Sequence, residues 1–168
     1  MPRRRPSLPL IAVVLGGVLA GCGGDGDADA YAKTYQAACQ TLTDEVAAYQ
    51  RSVTDIAGGA TKDPSAAVKG YKDASVKLFD AFLAQIDAMS DADAPDEFRD
   101  FQGQIEKDLK AARQGIEEAR TAVAGVGGAK DLRSIGTKLN GIKVETKADL
   151  PDELAEKAPA CKVLGRSS

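Results

Sequence analysis

Apolar residues in this chain recur at every third or fourth position through three stretches of roughly 30 residues each. That spacing gathers them on one face of an α-helix, whereas a strand would scatter them over both of its faces. The first stretch, about residues 28–57, carries Tyr31, Tyr35, Ala38, Leu42, Val46, Tyr49, Val53 and Ile56, and it runs out at Gly58-Gly59, a common helix stop. Asp63-Pro64 reads as an N-cap followed by a first-turn proline. It opens a second helix to about Ser90, with Val68, Tyr71, Ser75, Leu78, Phe79, Phe82, Ile86 and Met89 as its stripe. A third begins at Ala94-Pro95-Asp96-Glu97, where two acids sit at the end the helix macrodipole makes positive. Its stripe is Phe98, Phe101, Ile105, Leu109, Ala112, Ile116, Ala119 and Val123, closed by Gly125, Gly127 and Gly128.

A weaker fourth helix is expected at about residues 130–142 on Leu132, Ile135, Leu139 and Ile142, although Gly136 and Gly141 each cost it about 1 kcal/mol relative to alanine. A short fifth starts at Leu150-Pro151-Asp152-Glu153. Strand signals are nearly absent. The expected fold is therefore all-α: an antiparallel bundle of three long helices, a shorter fourth and a short C-terminal helix. Short loops imply up-and-down neighbours, which would bring Phe82 opposite Phe101 and Ile86 opposite Phe98 around the turn at residues 91–94. The fourth helix would then return the C-terminal segment to the end of the bundle where the first helix starts.

The N-terminus reads as an export signal: the basic Arg3-Arg4-Arg5, an apolar run from Leu8 to Ala20, then small residues before a cysteine. At roughly 13 residues, interrupted by Pro9, Gly16 and Gly17, the run is shorter than the about 20 needed to cross a bilayer. Leu19-Ala20-Gly21-Cys22 resembles the lipobox of bacterial lipoproteins. That resemblance implies cleavage before Cys22 and attachment of diacylglycerol to its thiol. Two or more acyl chains, palmitate among them, make such an anchor stable where one does not. The domain organisation that follows is a signal peptide at 1–21, a flexible acidic tether at 22–30 and a helical domain at 31–168. The tether's Asp25, Asp27 and Asp29 do not form a calcium loop, because the sixth and twelfth loop positions are Ala30 and Gln36 instead of glycine and glutamate. With Cys22 lipidated, Cys39 and Cys161 remain, an even number in an oxidising compartment; they are expected to form one disulfide, the alternative being two buried free thiols.

Composition narrows the chemistry. Losing residues 1–21 removes three arginines and no acid, taking the formal charge from −3 to about −6, which is unsuited to binding nucleic-acid phosphates. The chain has no histidine, so serine–histidine and cysteine–histidine mechanisms are excluded and the commonest transition-metal ligand is missing. Gly125-Val126-Gly127-Gly128 lacks the lysine of a phosphate-binding loop. Asp96 and Glu97 belong to a first helical turn, and Glu117 and Glu118 lie beside Arg113 and Arg120 on a solvated face, so these carboxylates read as structural. The phenylalanines and Tyr31, Tyr35 and Tyr49 read first as core, the tyrosines with a secondary reading as a binding surface. No catalytic residue, cofactor or metal is expected.

Across the whole chain, the lipobox, Tyr35-Gln36-Ala37-Ala38-Cys39, Ala94-Pro95-Asp96-Glu97-Phe98 and Ala158-Pro159-Ala160-Cys161 together resemble the small, alanine-rich helical lipoproteins of actinobacteria. The resemblance implies a location on the outer face of the cell membrane and carries no activity across. The expected role is a non-enzymatic binding or interaction domain at the cell envelope, with the membrane engaged through Cys22 and envelope proteins or cell-wall polymers as partners. The alternative is a carrier holding a small apolar ligand in a cavity between helices.

Overall fold

The computed structural model describes residues 26–128 and 148–163, and every regular element among them is helical. Helix α1 spans Ala28–Gly59, α2 Pro64–Ser90, and α3 Arg99–Ala124, the last entered through a 3-10 turn at Asp96–Phe98. Helix α4 is Asp152–Lys157, followed by a 3-10 turn at Pro159–Val163. The helix expected at about residues 130–142 lies outside the described residues.

Local chemistry explains the helix ends. The last residues of the expected tether at 22–30 belong to α1. The Asp27 carboxylate accepts from the backbone N–H groups of Asp29 at 2.9 Å and Ala30 at 3.3 Å, so the helix begins at Ala28, where the apolar stripe predicts its start. At the other end, α1 stops at Gly59, within the expected pair, but without the left-handed glycine that usually makes such a stop. No described glycine adopts a left-handed conformation, and the C-cap Ala60 is itself right-handed. The stop comes from Asp63-Pro64 downstream: proline disfavours helical geometry at the residue before it, and the Asp63 carboxylate turns instead to the N–H of Ala66, 2.9 Å away.

Helices α1 and α2 run antiparallel. Tyr49 meets Ser75, Glu45 pairs with Lys77 at 3.1 Å, and Gly70 admits Ile56, whose Cγ1 would lie 3.2 Å from a Cβ at that position. Helix α3 returns antiparallel to α2, with Arg113 paired to Asp87 and Arg120 to Asp80. These ion pairs are well exposed, so they mark register more than they add stability. The register differs from the one expected. Phe82, two residues from Asp80, falls opposite the stretch of α3 near Arg120 and not opposite Phe101; Ile86, beside Asp87, likewise does not meet Phe98. The extended linker 92–95 and its 3-10 turn allow α3 to start beyond the end of α2. Phe98 and Phe101 overhang there and pack on the start of α1, with ring centroids 5.4 Å from Tyr31 and 5.8 Å from Tyr35 respectively.

Helix α2 therefore lies between the other two, and among the described residues no Cα of α1 comes within 8 Å of α3. The C-terminal segment lies against the first third of α1, the end that an alternating topology requires. Cys161 is bonded to Cys39 with Cα atoms 5.1 Å apart. Leu154 and Ala158 are fully buried beside the bridge, Ala160 donates its N–H to Gln36 Oε1 at 2.9 Å, and Lys157 pairs with Asp29 at 2.9 Å. Hydrogen bonding to Lys157 and its charge hold the Asp29 carboxyl below its ordinary value.

Candidate functional site

Two tyrosine clusters divide the bundle along its length. In the first, Tyr31 and Tyr35 are both at most 2% exposed, and both donate their hydroxyl hydrogens to Gln102 Oε1 at 2.7 Å. The same amide donates from Nε2 to the carbonyl of Met89 at 3.0 Å and to Glu106 at 3.1 Å. Every polar atom of this group has a partner, which is what a buried polar network needs to be stable. Tyr31 and Tyr35 are thus core residues, as their spacing suggests. Gln102 was not anticipated from the sequence. A signal for it existed: steps of four and three from Phe98 lead through residue 102 to Ile105 and Leu109.

Burial pushes the Tyr31 phenol up to about 12 and the Tyr35 phenol higher still. A group whose folded pKa is raised contributes stability that is whole below its unfolded value near 10 and is lost as pH climbs through the folded value. In an alkaline absorbance titration, part of the signal of the four tyrosines is expected to appear only above pH 10 and together with loss of helical circular dichroism. Complete ionisation near pH 10 with helicity intact would contradict the buried network.

The second cluster is less covered. Beyond Cys39 no residue of α1 is buried: Leu42, Val46, Tyr49, Val53 and Ile56, all expected in the core, are only half-buried. From Leu42 onward the helix packing beside α1, among the described residues, is α2 alone, because α4 and the final 3-10 turn reach only the other end. Val68 and Tyr71 on α2 share this half-buried state. The Tyr49 and Tyr71 rings lie 6.4 Å apart, and the Tyr49 hydroxyl sits 3.3 Å from the Oγ of Ser75, which is 1% exposed. Desolvation, with hydrogen bonding to Tyr49, pushes the Tyr71 phenol up to about 12. The hydroxyls therefore converge between the helices while apolar ring and aliphatic surface remains open at the side. Such surface combines apolar area with polar tips, the composition favoured where proteins recognise partners.

The carboxylates singled out in the sequence do not come together. Asp96 pairs with Arg99 inside its own turn, Glu117 with Arg113 at 3.0 Å, and Glu118 accepts from Gln114 at 3.2 Å, all of these acids exposed. Arg120 reaches across to Asp80 on α2 and not to its α3 neighbours. The depression at the start of α2, about 390 Å³, is lined by Pro64, Val68, Lys69, Lys72 and Val126 among others and opens to solvent. Among the described residues no set of three or more potential ligand side chains is placed to hold a metal ion, and no helix is long and apolar enough to cross a membrane. Cys22 and the residues before it lie outside the described region. No protein-family model, curated protein or solved structure matches this chain.

Proposed function

We propose that this protein is a lipoprotein anchored to the outer face of the cell membrane through Cys22, and that its helical domain is a non-enzymatic interaction module for envelope proteins or cell-wall polymers. The half-buried Tyr49–Tyr71 face of the α1–α2 hairpin carries the interaction reading, because it leaves apolar and tyrosyl surface open along two long helices. The address rests on the lipobox Leu19-Ala20-Gly21-Cys22, and the Cys39–Cys161 bridge supports it, since disulfides persist in extracytoplasmic compartments. The likeness to small helical lipoproteins of actinobacteria belongs to the same reading.

Two experiments test the two halves. Cys22→Ala should accumulate as uncleaved precursor with no acyl mass on the chain; recovery of a cleaved, fully membrane-anchored Cys22→Ala protein would remove the lipobox assignment. A photo-crosslinking amino acid in place of Tyr71 should trap a reproducible partner in intact cells, while the same group in place of the exposed Glu118 on α3 should not. Equal labelling from both positions, or none from either, would count against this face.

A further inference from the structure

We infer that Tyr49 and Tyr71 form a site of oxidative modification, at which hydrogen peroxide acting through a haem peroxidase joins the two rings as dityrosine and staples α1 to α2. The inference stands apart from the lipid anchor and from the identity of any partner. Its first support is selection by burial. The chain has no tryptophan and no histidine, which leaves tyrosine, methionine and cysteine as its readily oxidised side chains. Met89, Tyr31, Tyr35 and the bonded pair Cys39 and Cys161 are all at most 2% exposed. Among the described residues, the half-buried Tyr49 and Tyr71 are therefore the ones that an oxidant in solution reaches.

The second support is placement. The two rings belong to facing helices, with centroids 6.4 Å apart and planes inclined at 58°. The Tyr49 hydroxyl sits 3.3 Å from Ser75 Oγ, and the Tyr71 phenol is in hydrogen-bonding contact with Tyr49, so the phenolic ends converge. Each ortho ring carbon is bonded to the carbon that bears the hydroxyl, and convergent hydroxyls bring these coupling atoms together as well. In the reaction each phenol loses its hydroxyl hydrogen, as one electron and one proton, leaving a radical shared between the oxygen and the ortho carbons. Two ortho carbons then form one carbon–carbon bond. The hydrogen that each of them carried moves to its own phenolic oxygen, which restores both aromatic rings. The chain has then given up two electrons and two protons; hydrogen peroxide takes them, its O–O bond breaking to yield two waters. The new bond fastens the half of α1 that, among the described residues, has α2 alone beside it.

The test treats the purified protein, kept in detergent, with hydrogen peroxide and a haem peroxidase, and runs free tyrosine in parallel as the control for coupling. The expected product is a monomer with dityrosine fluorescence, two hydrogen masses lighter than the parent, whose digest joins the peptide of Tyr49 to the peptide of Tyr71. Its urea midpoint should lie above that of the untreated protein. Tyr49→Phe and Tyr71→Phe, each checked for helicity by circular dichroism, should lose the fluorescence of the monomer. The peptide map of the parent decides the pairing without either variant. Links confined to covalent dimers, links through Tyr31 or Tyr35, or no link where free tyrosine couples would overturn the inference, as would monomer dityrosine that persists in either phenylalanine variant.

Discussion

Replacing Cys39 and Cys161 together by alanine is expected to lower the free energy of unfolding by up to about 5 kcal/mol, the value that chain entropy assigns to a closed loop of this length. The two cysteines are 122 positions apart, so the bridge removes nearly every extended conformation from the unfolded chain. Its weight in the native state is equally concentrated. The segment it fastens has one helix of six residues and a 3-10 turn, too short to persist alone. Without the bond, that segment would be held to α1 by burial of Leu154 and Ala158, the Ala160–Gln36 hydrogen bond and the exposed Lys157–Asp29 pair. Domains of this size are stable by only about 5–15 kcal/mol, so the loss should be plain in a urea titration as a large fall in the midpoint. Amide exchange should accelerate first in residues 152–161. A midpoint unchanged between the bridged protein and the double alanine variant would show that the bridge contributes little.

The bundle was legible in the sequence wherever one face of a helix meets a neighbour along its whole length. All eight residues of the third stripe, from Phe98 in the entry turn to Val123 on α3, are buried as their spacing predicts. On α1 the same pattern was equally regular but divides at Cys39, because periodicity identifies the face of a helix and says nothing of how much partner surface exists to cover it. Tyr35 and Tyr49 look alike in the stripe; one is fully buried between α3 and the C-terminal segment, the other half-buried against α2. The register between α2 and α3 was missed for a related reason. Counting from the turn assumes that both helices begin together, and the linker ending in Asp96–Phe98 offsets them. The terminal glycines marked the end of α1 correctly but not its geometry: glycine permits a left-handed stop without requiring one, and the Asp63-Pro64 pair keeps the helix from continuing.

Gln102 makes the sharpest energetic demand in the domain. Its side-chain oxygen receives both buried phenols, while its nitrogen serves the Met89 carbonyl and Glu106, so the tip of α2, the start of α1 and the start of α3 converge on one amide. Replacement by a group that cannot hydrogen-bond leaves hydroxyls stranded in a space sealed by Phe98 and Phe101, and each orphaned buried group costs about 1–3 kcal/mol. Gln102→Leu is therefore expected to destabilise the domain by about 3–5 kcal/mol, close to the effect of removing the disulfide. The penalty comes from unsatisfied partners and not from lost apolar contact, so it should be reversible from the other side. Tyr31→Phe and Tyr35→Phe, added to Gln102→Leu, remove the stranded hydroxyls and should recover about half of the loss or more. Alone in the parent, the two phenylalanine substitutions should cost about 1 kcal/mol each, since Gln102 Oε1 still retains one donor after either change. A thermodynamic cycle built on urea unfolding of these variants measures the coupling directly. Strictly additive effects, with no recovery in the triple variant, would mean that the three side chains merely share a neighbourhood.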